Sequence, residues 1–262
     1  MEEHEFFQLE RQGPVTSVSI NRPDKRNALT PEMLLSLRRI AESFRVDTET
    51  RAVIIRSDCP DFSVGADISR MDGETPTVEL LRRTAENGAL LMRALREIHQ
   101  PTLCIVRGVA TGGGACIPSA CDFRYGTPDA RIGYGEVKLG INLMWHALPL
   151  TIQAVGLSRA KQMVMTGDLF DAETMCNWGF LDEIIDAGSV DEHVMALAQK
   201  YAALPPIAVQ MIKRSANAYA GALDQAVMHA DADQWLLATR TEDFREGLAA
   251  FRDKRPPGYK GN

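Results

Sequence analysis

The chain has few cysteines. Cys59, Cys104, Cys116, Cys121 and Cys176 are scattered through 262 residues, odd in number and without a C-x-x-C pair. Such a set offers neither a disulfide framework nor the ligand spacing of a zinc site, so reduced thiols and no metal site are expected. No apolar run approaches the length needed to cross a bilayer. The opening residues, M-E-E-H-E-F-F, lack the basic flank and apolar core of a secretory signal, so a cytosolic protein without a membrane partner is expected. Positive charge is also in short supply. Lys and Arg number 29 against 35 Asp and Glu, for a net charge of -6, and the basic residues form no long run. That balance argues against a nucleic-acid partner, while leaving room for a local basic pocket that holds an anionic ligand.

What is present is the composition of an ordinary soluble protein, 45% apolar and 24% charged. The length suits one large domain, or one domain with an appendage. The chain is organised around Ile105 to Asp122, I-V-R-G-V-A-T-G-G-G-A-C-I-P-S-A-C-D. Leu103 to Val106 reads as a buried strand, since it is short, apolar and partly β-branched, and Pro101 stops the preceding helix. Gly112, Gly113 and Gly114 follow, and the small residues Ala115 to Ala120 read as a helix. Glycines here let a ligand approach backbone N–H groups closely, which suits negative charge. The alternative is a tight turn in which glycine serves packing alone.

Val15 to Ile20 alternates as a half-buried strand would, with Val18 and Ile20 on one face and Ser17 and Ser19 on the other. Pro23 and Asp24 mark a loop. Thr30 and Pro31 start a helix whose buried face carries Met33, Leu37, Ile40, Ala41 and Phe44. Ala52 to Ile55 fits a strand covered on both sides. Thr77 to Ile98 is a long amphipathic helix with Leu81, Ala85, Leu91, Leu95 and Ile98 on its stripe. Further on, Phe123 to Tyr125 reads as a strand, Ser158 as the cap of a helix through Met165, Asp171 to Trp178 as a helix and Phe180 to Ile185 as a strand. Alternating strand and helix signals indicate repeated strand-turn-helix units in an α/β fold. Beyond Ser189 only helices are read, over Asp191 to Ala203, Ile207 to Ala220, Leu223 to Leu237 and Thr241 to Lys254. The shift places a boundary between residues 1–188 and 189–262.

Four separated motifs carry a resemblance: N-R-P-D-K-R-N-A-L at Asn21 to Leu29, F-S-V-G-A-D-I at Phe62 to Ile68, G-V-A-T-G-G-G at Gly108 to Gly114, and the ending F-R-D-K-R-P-P-G-Y-K-G. In this order they resemble the crotonase (enoyl-CoA hydratase/isomerase) superfamily over essentially the whole chain. The resemblance implies a spiral of β-β-α turns that binds an acyl-CoA thioester over residues 1–188, and a C-terminal helical region, 189–262, that assembles homotrimers, often stacked as hexamers. It implies no prosthetic group, coenzyme A being part of the substrate. It also implies an oxyanion hole made by the backbone amides of Ala66 and Gly113. A thioester enolate carries negative charge on its carbonyl oxygen, and two fixed amides in a dry site stabilise that charge. Lys25, Arg26, Ala28, Ala66, Asp67, Ile68, Ser69 and Arg70 are the implied contacts with the coenzyme. Tyr259 and Lys260 resemble the positions that reach a neighbouring subunit's nucleotide. The other reading of the basic groups is solvated surface.

The acid-base inventory separates the reactions. Family hydratases use two glutamates, one on the helix after the glycine turn and one about twenty residues later. Here the second is Glu136 and the first position holds Cys116. One carboxylate is enough to move a proton from C2 to C4 of a 3-enoyl thioester, and G-E-V-K-L-G-I is similar to the family's 3,2-enoyl-CoA isomerases. Isomerisation with Glu136 as shuttle is therefore expected. The alternative for Glu136 is a surface carboxylate paired with Lys138. Cys116 is either a space-filling core thiol or an activated group near a helix N-terminus. After Glu136 a glycine-rich loop common in hydratases is replaced by N-L-M-W-H-A. Met144 and Trp145 are read as acyl-pocket residues, and His146 or Tyr134 as a possible second proton carrier, against a core aromatic and a capped histidine. Hydration or hydrolysis with a non-standard second acid or base is the competing reaction, and a non-catalytic CoA-binding scaffold the competing class.

Overall fold

The computed structural model of the protein describes residues 5–70 and 77–262, the side chain of Arg70 lying outside the described part. A hairpin opens the fold. Strands β1 (Phe7–Gln12) and β2 (Val15–Ile20) pair antiparallel around Gly13, whose φ of 58° suits glycine. Helix α1 (Pro31–Ser43) follows, with the Thr30 hydroxyl accepting from the Met33 amide at 3.3 Å. Then come β3 (Ala52–Ser57) and α2 (Val78–Arg96), which is capped by Thr77.

From there a unit recurs in which one strand joins a larger sheet, the next joins a smaller sheet, and a helix leads on. Strands β4 (Thr102–Val106) and β5 (Val109–Thr111) precede α3 (Gly113–Ser119), and β6 (Phe123–Gly126) and β7 (Arg131–Gly133) precede α4 (Ala147–Val155). Helix α5 (Leu157–Thr166), strand β8 (Phe170–Asp171), helix α6 (Ala172–Trp178) and strand β9 (Glu183–Ile184) complete this part. The larger sheet has the order β1-β2-β3-β4-β6-β9, parallel apart from β1, and the smaller has the order β5-β7-β8. This is the expected α/β spiral of β-β-α turns.

Five helices end the chain: α7 (Val190–Ala202), α8 (Pro206–Ala220), α9 (Gln225–Met228), α10 (Asp231–Ala238) and α11 (Glu242–Asp253). No helix of the described residues is long and apolar enough to cross a membrane. Side-chain alternation explains the continuous apolar strands. Val53 and Ile55 of β3, with Cys104 and Val106 of β4, face α1, α2 and α3, whereas Ala52, Ile54, Leu103 and Ile105 face Val190, Val194, Ala198 and Ala202 of α7. Each fully buried aliphatic side chain of this kind contributes roughly 1.5–3 kcal/mol.

Four local expectations change. Strand β2 is buried along its whole length, including Ser17 and Ser19, because α7 covers the face expected to meet water. Gly156, not Ser158, is the N-cap of α5. The segment from Leu223 to Leu237 is two helices, since the α9 turn ends at Met228 and α10 starts afresh at Asp231. The strand read over Phe180 to Ile185 shortens to Glu183–Ile184, because Phe180 and Leu181 turn into the core instead.

Candidate active site

Two loops and one helix start meet at the centre of the molecule. The first loop, after β2, is held by Asn27, which is fully buried with a φ of 56°. Its Oδ1 accepts the Arg22 amide at 2.7 Å, and its Nδ2 donates to Ser57 Oγ at 2.8 Å and to the Phe62 carbonyl at 3.0 Å. One amide side chain thus ties this loop to the segment after β3. The two segments then run side by side. The Leu29 amide donates to the Gly65 carbonyl at 2.8 Å, and the Asp67 amide to the Leu29 carbonyl at 2.9 Å. In such a parallel bridge the N–H of Ala66, between those two partners, points away from the pairing.

The Gly113 amide is the second free donor. It opens α3 and so belongs to the first turn of a helix, where N–H groups have no intrahelical acceptor. A methyl group on Gly65 would stand 3.5 Å from the Gly113 nitrogen and 2.7 Å from the Thr111 carbonyl oxygen, so the two backbones touch. Residue 65 also needs its φ of 89°. The Gly65–Ala66 backbone therefore lies against the start of α3.

Glu136 opens a 3-10 turn (Glu136–Leu139) just after β7. Its carboxyl lies over Gly112, where an added methyl would be 3.0 Å from Oε1. Oε2 is sealed from solvent and has no hydrogen-bond partner among the described residues. Burial raises its pKa to about 7, its own backbone amide offsetting only part of that effect. The alternative pairing with Lys138 does not form, because Lys138 Nζ turns to Asp168 at 2.8 Å. A buried carboxyl with a raised pKa and an unpartnered oxygen is suited to taking and returning a proton.

Cys116 lies one turn further along α3 and is 1% exposed. Burial above all, then the negative charges of Glu136 and Asp231, push its thiol well up, so it stays protonated. Tyr134 is also core: its hydroxyl is 2.7 Å from the Thr151 hydroxyl, and burial above all raises its pKa, so it stays protonated at neutral pH. His146 is half-buried, and burial lowers its pKa, so it is neutral. Its backbone amide donates to Asp231 Oδ2 at 2.8 Å. Trp145 is buried against the site itself. Methyl groups on Gly113 and Gly88 would stand 2.4 Å and 2.1 Å from its indole ring. Gly88, in α2, was not among the residues expected at the site; its only signal in the sequence is a glycine inside an amphipathic helix.

At the rim, Lys25 is exposed at the end of the 3-10 turn Pro23–Lys25, and Ala28 is buried behind it. Arg26 is exposed but committed, its Nε lying 2.6 Å from Asp61 Oδ2. Asp67 is likewise committed, accepting from Ser69 Oγ at 2.6 Å and from Arg22 Nη1 at 2.8 Å. Hydrogen bonds, first from Ser69 and then from Arg22, hold its carboxyl below the usual range. Its side chain braces the 3-10 turn Ile68–Arg70 against the first loop. Tyr259 and Lys260 are tied to their own chain, the Tyr259 hydroxyl donating to the Lys138 carbonyl at 2.6 Å and the Lys260 amide to Asp243 at 2.7 Å. Met144 and His146 line a cavity on the far side of Trp145. No cluster of three metal-ligating side chains occurs among the described residues.

The enoyl-CoA hydratase/isomerase family model matches residues 10–262. A putative enoyl-CoA hydratase from Thermus thermophilus is 33% identical over 260 residues, spanning 97% of this chain and 100% of its own. The 2,3-dehydroadipyl-CoA hydratase of Escherichia coli is 30% identical over 253 residues, covering 97% and 98%. Among solved structures, an enoyl-CoA hydratase from Mycobacterium avium subsp. paratuberculosis superposes with a TM-score of 0.87 at 25% identity, over 97% of this chain and 98% of that one.

Proposed function

The chain belongs to the enoyl-CoA hydratase/isomerase family, and on that premise we propose that it isomerises 3-enoyl-CoA thioesters to their 2-enoyl isomers with Glu136 as the only acid-base group. In this reading the thioester oxygen accepts from the amides of Ala66 and Gly113. Glu136 takes a proton from C2, the C2–H electron pair enters the conjugated system as negative charge on that oxygen, and the two amides hold the dienolate. The same carboxyl returns the proton to C4. Lys25 and the backbone from Ala66 to Ser69 face the coenzyme.

The observation that carries this reading is the Glu136 carboxyl, poised at about 7 with a sealed, unpartnered oxygen beside the glycine turn, while the position of a second carboxylate holds a protonated thiol. A buried unpaired carboxyl costs stability, which argues against a scaffold that has lost its chemistry. The raised Cys116 thiol argues against a cysteine nucleophile. Hydration is the second reading, favoured by the hydratase names of the two relatives.

Product analysis distinguishes them. Purified protein is given a 3-enoyl-CoA and a 2-enoyl-CoA, and the products are weighed by mass spectrometry. The proposal expects double-bond migration without mass gain; a hydrated product from the 2-enoyl ester as the main outcome supports the second reading. Assembly belongs to the same proposal. Helix α8 exposes Ile207, Met211, Ile212 and Tyr219, apolar surface suited to packing between copies. A homotrimer or hexamer is expected by light scattering.

A further inference from the structure

The site contains a wall that its chemistry does not require. Trp145 stands edge-on to Gly113, the residue proposed to hold the thioester oxygen, and is only 8% exposed. Its indole fills the space that side chains at both Gly113 and Gly88 would otherwise take. The backbone that delivers it is unusual. Trp145 and His146 have φ values of 62° and 58°, a left-handed pair that neither residue adopts readily. Asp231, 6% exposed at the start of α10, holds this pair through the His146 amide. The surrounding structure therefore fixes the indole in one place.

Behind Trp145 lies a cavity of about 1070 Å³ between α2, α4 and the C-terminal helices. It is open to solvent and rimmed by charged side chains such as Arg82, Arg96 and Lys213, while Ala85, Met92, Leu150 and Met228 form an apolar floor, and Trp145 is shared between that floor and the glycine turn. The indole, edge-on to Gly113, stands between the glycine turn and this space.

We propose that Trp145 is a plug that ends the acyl site, restricting the protein to short acyl groups, and that the cavity behind it is a latent compartment for the distal part of a long acyl chain. This inference rests on the acyl-CoA reading above. An acyl group whose carbonyl is at Gly113 and whose α-carbon faces Glu136 meets the indole within a few bonds. A longer chain has nowhere dry to go while the ring is in place. Each methylene that does enter an apolar compartment is worth about fourfold in affinity, so removing the plug reverses the order of preference.

The test is calorimetric titration of butanoyl-CoA and decanoyl-CoA into the wild type and Trp145→Ala, with Trp145→Leu as the better-packed second variant. Saturated esters report binding whichever reaction the enzyme performs. The wild type is expected to bind butanoyl-CoA at least as tightly as decanoyl-CoA. In either variant decanoyl-CoA is expected to tighten at least tenfold, with butanoyl-CoA changing less than about threefold. A wild type that already gains affinity with chain length, or variants that leave the ratio unchanged, overturns the plug while leaving the acyl-CoA reading intact. If neither ester binds the wild type or a folded variant, the acyl-CoA reading fails and the plug with it.

Discussion

Glu136 Oε1 sits over Gly112, 3.0 Å from the place a methyl group on that residue would occupy. Gly112 itself has φ 54° and ψ −127°, a conformation open to glycine and costly to other residues. Gly112→Ala therefore meets backbone strain and displaces the carboxyl at once. It is expected to cost about 2 kcal/mol of stability and to lower kcat/KM beyond what unfolding explains, as read from denaturant midpoints and from rates on the folded fraction.

The pH dependence follows from the same carboxyl. Its folded pKa of about 7 lies above the ordinary value of 4.5. Between those values the folded state binds more protons than the unfolded one, so stability falls as pH rises from about 4.5 to 7 and then levels off. The full difference is on the order of 3 kcal/mol. Glu136→Gln is expected to remove that slope, seen as converging midpoints at pH 4.5 and diverging ones at pH 7. Activity moves the other way, since the base must be ionised. The kcat/KM of the wild type is expected to rise with pH through about 7 and to reach a plateau above it.

Much of this arrangement was legible in the sequence. The glycine triplet, Ala66, Glu136 and the cysteine in place of a carboxylate come from short motifs whose order constrains the fold, and the helix cap at Thr30 is a local signal that survived folding, whereas the one read at Ser158 gave way to Gly156. What the sequence hid is non-local. Ser17 and Ser19 are buried because a helix about 170 residues later lies over them. Arg26 and Asp67 look like free charges until their partners Asp61 and Arg22 arrive. Gly88 looks like a flaw in an amphipathic helix until Trp145, 57 residues away, fills the space it leaves.

That last pair predicts a coupling. Gly88→Ala on its own improves helix propensity but drives a methyl into the indole, 2.1 Å from ring atoms. It is expected to destabilise the wild type by about 1–3 kcal/mol and to be close to neutral in Trp145→Ala, as measured by a double-mutant cycle on thermal or denaturant unfolding. Additive effects would show that the two residues do not share the space.

Cys116 is expected to be inert. With a buried, protonated thiol, the native protein should resist iodoacetamide at this residue and become labelled only when unfolded, which peptide mass mapping detects. Cys116→Ala is expected to keep near wild-type turnover and to lose about 1 kcal/mol of stability from the space vacated.

Asn27 holds the first loop to the segment that leads to Ala66. Asn27→Ala leaves the Arg22 amide and the Ser57 and Phe62 oxygens without that partner, and also replaces a residue at a φ of 56°. A loss of about 3 kcal/mol is expected, with KM for the thioester rising in the folded fraction because the Gly65–Ala66 backbone is less firmly placed.

The central claim is that one carboxyl does all the proton transfer. The most direct measurement is the rate of conjugation of a 3-enoyl-CoA by wild type and by Glu136→Gln in deuterium oxide, followed by absorbance and by mass. The account predicts a 2-enoyl product with no water added, and a fall of about 10²- to 10⁴-fold in the variant with thioester binding retained. Conversion that survives Glu136→Gln, or water addition as the main course of the wild-type reaction, would contradict it.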